Sequence, residues 1–180
     1  MSCIYGLNTA NPYKMNFRKG NNTDLEKLRE LGLKSWIQFK TDLTDDNWNS
    51  LFNTINNIDT YADLLSNSEC FICEKDTNDL IGMAFIVPNG NPSDIYDEKW
   101  CHLRFVSVDP EHRGKGIGNK LTDLCIAHAK SNGETTMALH TSEIMETARH
   151  IYEKMGFTIL REIDRRLGVR YWLYTLELNN

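Results

Sequence analysis

The sequence predicts a mixed α/β domain, with about seven strands in a central mixed sheet and about four flanking helices. Short β-prone runs occur both as adjacent pairs and on either side of helical segments, which predicts antiparallel hairpins together with a parallel strand pair. With 41% hydrophobic and 25% charged residues, a chain of 180 residues can bury a core without disulfides or a metal. We therefore expect residues 1–180 to form a single domain.

The amino-terminal half predicts a strand, two helices and a hairpin. Residues 13–20 read as a short strand, and the helix that follows has Thr23 as its N-cap. The second helix begins after Thr44, and "TYADLLSN" adds a further turn. The runs "ECFICEK" (69–75) and "LIGMAFIVP" (80–88) form a hairpin, because the turn residues "DTND" separate them.

The carboxy-terminal half predicts four strands and two helices. After a loop at 89–99, the β-prone runs are "WCHLRFVSV" (100–108), "TTMALHT" (135–141), "FTILREI" (157–163) and "VRYWLYTLEL" (169–178). Amphipathic helices fill the intervals at 117–132 and 143–156, and each ends beside a glycine that suits a helix C-terminus.

Composition argues against several classes of partner. A net charge of −5 gives no indication of nucleic-acid binding. No apolar run approaches the ~20 residues that span a bilayer, and the amino terminus lacks the pattern of a signal peptide. The odd number of scattered cysteines does not resemble a disulfide framework. We expect a cytoplasmic protein that contacts neither nucleic acid nor membrane.

The pair Cys70-x-x-Cys73 has the spacing of metal ligands but lies within a predicted strand. Residues three apart on a strand face opposite sides of the sheet, and no second cysteine pair or histidine pair completes a zinc site. We therefore expect no metal.

A glycine-rich turn stands between a strand and a helix in "VSVDPEHRGKGIG" (106–118). A dinucleotide fingerprint would need a glycine where Asn119 stands, and a P-loop would need Ser or Thr where Gly116 follows Lys115. The pattern Arg113-x-x-Gly116-x-Gly118 instead favours anion capture, because bare N–H groups and a helix N-terminus converge on one point. A plain tight turn is the structural alternative.

Two linked motifs resemble the GNAT superfamily, the GCN5-related N-acetyltransferases. The strand–"VDPEHRGKGIG"–helix segment is similar to the coenzyme A motif of that family, and "ARHIYEKMGF" (148–157) is similar to its A-x-x-[LI]-Y-E-K-x-G-F segment. Together they span about 100–157, the expected coenzyme-binding core. The resemblance implies the acyl-CoA N-acyltransferase fold, with a mostly antiparallel sheet, and acetyl-CoA as co-substrate.

The resemblance also implies roles for individual residues. In the family, the fourth and fifth strands part like a V and hold the pantetheine arm, while the N–H of Val106 or a neighbour would polarise the thioester carbonyl. Tyr152 falls on the tyrosine that protonates the departing thiolate. The implied coenzyme-binding residues are Val106, Ser107, Val108, Arg113, Gly114, Lys115, Gly116, Ile117 and Gly118. Many members have an asparagine at the position of Met145, so that contact is absent or replaced here.

An amine acceptor must lose a proton before it attacks. His102 is the predicted base, because several family members place a glutamate or histidine there and its ordinary pKa of ~6.5 suits the task. Strand alternation puts His102 on the same face as Arg104. Glu69, Glu74, Asp94 or a water chain are alternatives.

The remaining expectations concern the acceptor pocket. By family analogy, the first two helices, the loop at 88–99 and the last hairpin shape it. The candidates to line it are Trp36, Phe39, Tyr96 and Trp100. His128 is expected to pack and His140 to lie near the cleft. The arginines 161, 165, 166 and 170 form either a solvated hairpin face or a site for an acidic group or a partner copy.

The predicted function is direct transfer of an acetyl group from acetyl-CoA to a primary amine of a small molecule or peptide, in a ternary complex. No cysteine has the neighbours that a covalent route requires. The alternative is a catalytically silent acyl-CoA-binding sensor or interaction domain. Family analogy also suggests a homodimer.

Overall fold

The computed structural model describes residues 15–75 and 79–178, which form a seven-stranded sheet of order β1-β2-β3-β4-β5-β7-β6. All neighbouring strands are antiparallel except β4 and β5, which are parallel, so the predicted mixed and mostly antiparallel sheet is confirmed. The strands are β1 (Met15–Lys19), β2 (Glu69–Lys75), β3 (Leu80–Val87), β4 (Cys101–Val108), β5 (Thr136–Ser142), β6 (Thr158–Arg166) and β7 (Val169–Glu177). Residues 13 and 14 of the predicted first strand lie outside the described residues.

The described residues contain five α-helices where four were expected, because "TYADLLSN" belongs to a helix of its own. The Asn57 side chain caps that helix by accepting a hydrogen bond from the N–H of Asp59 at 3.0 Å. The helices are α1 (Leu25–Trp36), α2 (Asp45–Asn56), α3 (Ile58–Asn67), α4 (Ile117–Ser131) and α5 (Glu146–Lys154).

The predicted caps of the first two helices had different outcomes. Thr44 caps α2, since its hydroxyl accepts from the N–H of Asn47 at 3.4 Å. Thr23 as an N-cap was wrong. The Asn21 side chain instead caps a short 3-10 turn, and α1 begins only after that turn, at Leu25.

The helices form two layers on the sheet. Helices α1 and α3 pack on one face through Leu28, Leu31 and Tyr61, while α4 and α5 pack on the other. Cys70 contributes to the first core and Cys73 to the second, so the expectation that they face opposite sides of β2 is confirmed. Across the described ranges, no helix combines the length and apolar character needed to cross a bilayer.

The sheet opens after the first two residues of β4. Strands β4 and β5 pair only at Cys101↔Met137 and His102↔Ala138, although β4 continues to Val108. A bulge against β3 follows on the other edge, where the register shifts and Phe105 takes a positive φ of 50°. That value is unusual for a bulky residue. The two irregularities part the parallel strands, as the resemblance to the GNAT family implied.

The β6–β7 hairpin is tighter than predicted. Strand β6 runs on to Arg166, and the turn consists of Leu167 and Gly168, with φ of 54° and 77°. Positive φ at both central residues is the pattern of a type I′ hairpin, whose twist matches that of the strands. The turn carries Leu167 to the opening of the sheet beside α2.

Candidate active site

A cleft of about 350 Å³ lies where β4 and β5 separate. The two strands contribute its walls from Leu103 to Val106 and from Leu139 to Thr141. On one side it is lined by α5 and the residue before it, through Met145, Ala148 and Tyr152; we call this the α5 side. The opposite side of the cleft is lined by α2 and the β6–β7 hairpin, and we call it the α2 side. Its residues are Ser50, Leu51, Thr54, Ile55, Arg166, Leu167 and Tyr171. The cleft thus connects the two faces of the sheet.

The glycine-rich turn leads from the end of β4 into α4. Gly114 and Gly116 have φ of 73° and 77°, a conformation that glycine adopts without strain. Gly116 is the N-cap of α4, and no side chain caps the first N–H groups of the helix. These donors and the positive end of the helix dipole suit a phosphate or diphosphate. The residues therefore fit the diphosphate of a coenzyme A.

Arg113 is anchored to α1 by its side chain. Its guanidinium donates to the backbone carbonyl of Ser35 at 3.0 Å and to the side-chain oxygen of Gln38. Nearby, Lys34 of α1 pairs with the buried Asp109 at 2.8 Å. The end of α1 therefore holds the turn in position. Arg113 keeps its charge, because both of its acceptors are neutral, and the exposed Lys115 adds a second positive charge there.

Tyr152 lies on α5, inside the core and at the wall of the cleft. It is 7% exposed, and its ring packs edge-on against the Phe157 ring with centroids 5.8 Å apart. Burial raises the pKa of its hydroxyl above the ordinary value, so the group stays protonated at neutral pH. A buried, protonated hydroxyl at this wall can donate a proton to a leaving group.

His102 and His140 lie on the face of the sheet that α1 and α3 cover, and Tyr96 contacts both of them. The ring of His102 is 4% exposed and stacks on Tyr96 with centroids 4.0 Å apart, and it does not line the cleft. His140 does line the cleft, and its Nδ1 lies 2.6 Å from the Tyr96 hydroxyl. Burial lowers the pKa of both imidazoles to about 4, with the Arg104 charge as a second cause.

The other predicted bases lie outside the cleft lining. Glu69 and Glu74 are on β2, where they pair with Lys19 and Arg18 of β1. Asp94 pairs with Arg166, which does line the cleft. Each of these three carboxylates is therefore engaged in an ion pair and does not line the strand opening.

The aromatic residues predicted for the pocket separate into two groups. Trp36 lines the cleft, and the ring of Phe39 packs edge-on against the Trp36 ring with centroids 5.9 Å apart. Tyr96 reaches the cleft only through His140, and Trp100 packs against the small core beneath the loop at 89–99. His128 packs edge-on against Phe71, as expected.

Met145 and the arginine cluster also have defined places. The Thr141 hydroxyl donates to the Met145 sulfur at 3.6 Å, and both residues line the cleft. Arg166 is the one member of the cluster that lines it; Arg170 pairs with Glu162 at 2.8 Å, and Arg161 and Arg165 are exposed.

Family analogy correctly expected the second helix and the last hairpin at the cleft, but sequence reasoning named no residue of α2 and did not single out the strand residues next to the bulge. Arg104 lines the cleft, and its guanidinium carbon lies 5.8 Å from the centre of the Phe105 ring. Strand alternation placed it on the face of His102 but did not indicate a cleft. Ser50 and Thr54 carry no motif, because tertiary packing alone brings α2 to the opening.

Comparison with known proteins agrees with this geometry. The model of the Acetyltransferase (GNAT) family matches residues 26–157. N-acetyltransferase family 8 member 3 of Rattus norvegicus is 30% identical over 117 residues, which cover 65% of this chain and 47% of the relative. Mycothiol acetyltransferase of Thermobispora bispora is 43% identical over 53 residues, 29% of this chain and 18% of the relative. The chain spans less than half the length of either relative.

Solved structures share the fold at low sequence identity. PaiA N-acetyltransferase from Thermoplasma acidophilum, in complex with coenzyme A, has a TM-score of 0.74 at 17% identity, covering 91% of this chain and 99% of that one. The acetyltransferase yncA from Salmonella typhimurium, with acetyl-CoA, has a TM-score of 0.66 at 18% identity, with coverage of 93% and 95%. The family match over most of the chain, the open strand pair and the glycine turn together show that this chain belongs to the acetyltransferase (GNAT) family.

Proposed function

We propose that this chain transfers an acetyl group from acetyl-CoA to a primary amine of a small molecule or peptide, directly and in a ternary complex. The observation that carries the proposal is the cleft between β4 and β5, which joins the Tyr152 wall to the α2 side of the sheet. A thioester held from the α5 side and an amine entering from the α2 side would meet at the strand opening.

The coenzyme would be bound mainly by backbone groups. The first N–H groups of α4, around Ile117 and Gly118, would hold the diphosphate. The edge of β4 that faces away from β3 has no strand partner beyond His102 among the described residues, so its backbone is available to the pantetheine arm. The N–H of Val106, beside the bulge, would polarise the thioester carbonyl.

Tyr152 would act as the general acid. The thiolate of coenzyme A leaves more easily when a proton is supplied as the C–S bond breaks, and the buried hydroxyl is protonated at neutral pH. Direct transfer is supported by the cysteines of the described chain, which are all buried and whose thiol pKa values are raised by burial. Such thiols are poor nucleophiles.

Two histidines are proposed for the base. His102 is the candidate from the sequence, but His140 has the more favourable place, because it lines the cleft and leaves Nε2 outside its contact with Tyr96. With the Nδ1 proton donated to the Tyr96 oxygen, Nε2 of His140 carries the lone pair that accepts the amine proton.

Substitution of Tyr152 by Phe tests the enzyme against the silent sensor. The variant keeps the ring that packs on Phe157 and loses the acid, so we expect turnover to fall about 100-fold or more while acetyl-CoA affinity changes little. Release of free thiol in a panel of amines, amino acids and peptides measures turnover, and calorimetry measures affinity.

The matched control is Tyr171→Phe, which removes a hydroxyl from the α2 side of the same cleft. Unchanged turnover in Tyr152→Phe would remove the acid role. Tight acetyl-CoA binding by the wild type without thiol release in any mixture would establish the sensor instead.

A further inference from the structure

We propose that the acceptor is an amine that also carries a carboxylate, and that Arg104 binds that carboxylate inside the cleft. The inference rests on the proposed function and names the substrate class of the same site. Its basis is a guanidinium that has no counterion among the described residues, at the point where the acceptor would bind.

Arg104 lies on β4 immediately before the bulge and is only partly exposed. Its guanidinium is near the Phe105 ring, but within residues 15–75 and 79–178 it makes no ion pair and no side-chain hydrogen bond. Five N–H donors in a planar fork match the geometry of a carboxylate. A charged group withdrawn from water gains most from such a partner.

Among the residues that the structure describes, the neighbouring charged groups do not compensate the charge of Arg104. Arg166, the other arginine in the lining, is paired with Asp94. His102 and His140 are neutral at physiological pH, because their pKa values are about 4. The positive charge on the α2 side of the cleft is therefore concentrated at Arg104, where an ammonium group alone would be repelled.

The position of Arg104 also limits the distance between amine and carboxylate. It precedes Phe105 and Val106, where the thioester carbonyl is proposed to lie, and its charge reaches His140, the proposed base. A carboxylate bound here lies a few bonds from the reacting amine. Leu51, Ile55 and Leu167 line the same part of the cleft and favour an apolar side chain. An α-amino acid or a short peptide with an apolar side chain has this chemistry.

Matched substrate pairs that differ only in the carboxylate test the inference. Phenylalanine is compared with phenethylamine, leucine with 3-methylbutylamine, and a leucine-containing dipeptide with its C-terminal amide. A charge-assisted hydrogen-bonded pair contributes about 1.5–3 kcal/mol, which is about 10- to 100-fold. We expect wild-type kcat/KM to favour the carboxylate member of at least one pair by that factor, mainly through KM.

The arginine variants show whether Arg104 causes the preference. Arg104→Gln is expected to make the two members of that pair equal, and Arg104→Lys to retain part of the preference, since it keeps the charge and loses the fork. Arg161→Gln, an exposed position on β6 outside the cleft, is the matched control and keeps the preference. Circular dichroism melting of each variant confirms that it is folded, and Arg104→Met, which also removes the charge, substitutes if Arg104→Gln does not fold.

The two proposals fail differently. Equal rates within every pair, or a preference that survives in both Arg104 variants, overturn the carboxylate site and leave the acetyltransferase intact. Absence of thiol release from the folded wild type with every pair overturns the proposed function, and the carboxylate site with it.

Discussion

Tyr96 contacts two histidines, the buried His102 and the partly exposed His140. Its ring stacks on His102, and its hydroxyl contacts Nδ1 of His140. Nδ1 of His102 is buried and has no hydrogen-bond partner among the described residues. His102 therefore holds Tyr96 by stacking, and Tyr96 in turn orients His140. This arrangement gives His102 a packing role, and we propose the proton-accepting role for His140.

The variants His102→Phe and His140→Gln distinguish these roles. Phe keeps an aromatic ring on Tyr96, so we expect His102→Phe to retain kcat within a few-fold. Loss of the base in His140→Gln should lower kcat about 100-fold or more, with little change in acetyl-CoA affinity. Initial rates of thiol release measure both. A large loss in a folded His102→Phe, with His140→Gln active, would assign the base to His102.

We also expect His102→Phe to change how the free energy of unfolding depends on pH. The folded chain keeps His102 neutral down to about pH 4, whereas an unfolded histidine binds a proton near its ordinary pKa of 6.5. The unfolded state thus binds more protons between pH 6.5 and 4, and the free energy of unfolding falls as the pH is lowered through that window. The shift corresponds to roughly 3 kcal/mol at most. Urea unfolding at several pH values should show a flatter profile for the variant.

At the scale of secondary-structure elements, the glycine turn and the first turn of α4 have separable roles. Gly116 needs its left-handed conformation to begin the helix, since φ is 77°. Gly118 is already inside the helix, and a Cβ there would meet only Val108, at an ordinary 3.7 Å. The packing does not require a glycine at 118, which is consistent with the proposed close approach of the coenzyme diphosphate at this position.

Gly118→Ala therefore separates coenzyme binding from stability. We expect the melting temperature to stay the same or rise, because Ala favours a helix over Gly by about 0.5–1 kcal/mol. The added methyl group should obstruct the diphosphate and raise the KM for acetyl-CoA about 10-fold. Differential scanning fluorimetry and steady-state kinetics give the two quantities.

Two other substitutions complete that test. Gly116→Ala should lower stability, by about 1–2 kcal/mol, because it forces a side chain into the left-handed region. Asp123→Ala, exposed farther along α4, should change neither quantity. An unaltered KM in Gly118→Ala would place the diphosphate elsewhere.

At the scale of the whole molecule, local patterns predicted the sheet and the glycine turn before α4 better than the acceptor side of the cleft. The strand runs, the glycine turn and Tyr152 belong to continuous segments whose spacing carries the information. The separation of α3 from α2 was missed because Asn57 gives only a one-residue signal. The bulge at Phe105 was missed because no local motif marks it.

The acceptor side depends on packing between distant segments. Arg104 enters the cleft because β4 leaves β5 after two residue pairs, and Thr54 reaches it because α2 crosses the opening. His102 illustrates the same limit: family spacing favoured it as the base, but Tyr96 from the 89–99 loop covers it. The single-domain organisation over 1–180, the cytoplasmic location and the homodimer stay predictions.

A crystal structure of the chain grown with acetyl-CoA tests the central claim most directly. We predict the diphosphate on the N–H groups of Ile117 and Gly118, the pantetheine arm between β4 and β5, and the thioester sulfur within hydrogen-bonding reach of the Tyr152 hydroxyl. Acetyl-CoA bound at another surface, with the α4 N-terminus and the strand opening free of it, would contradict the account.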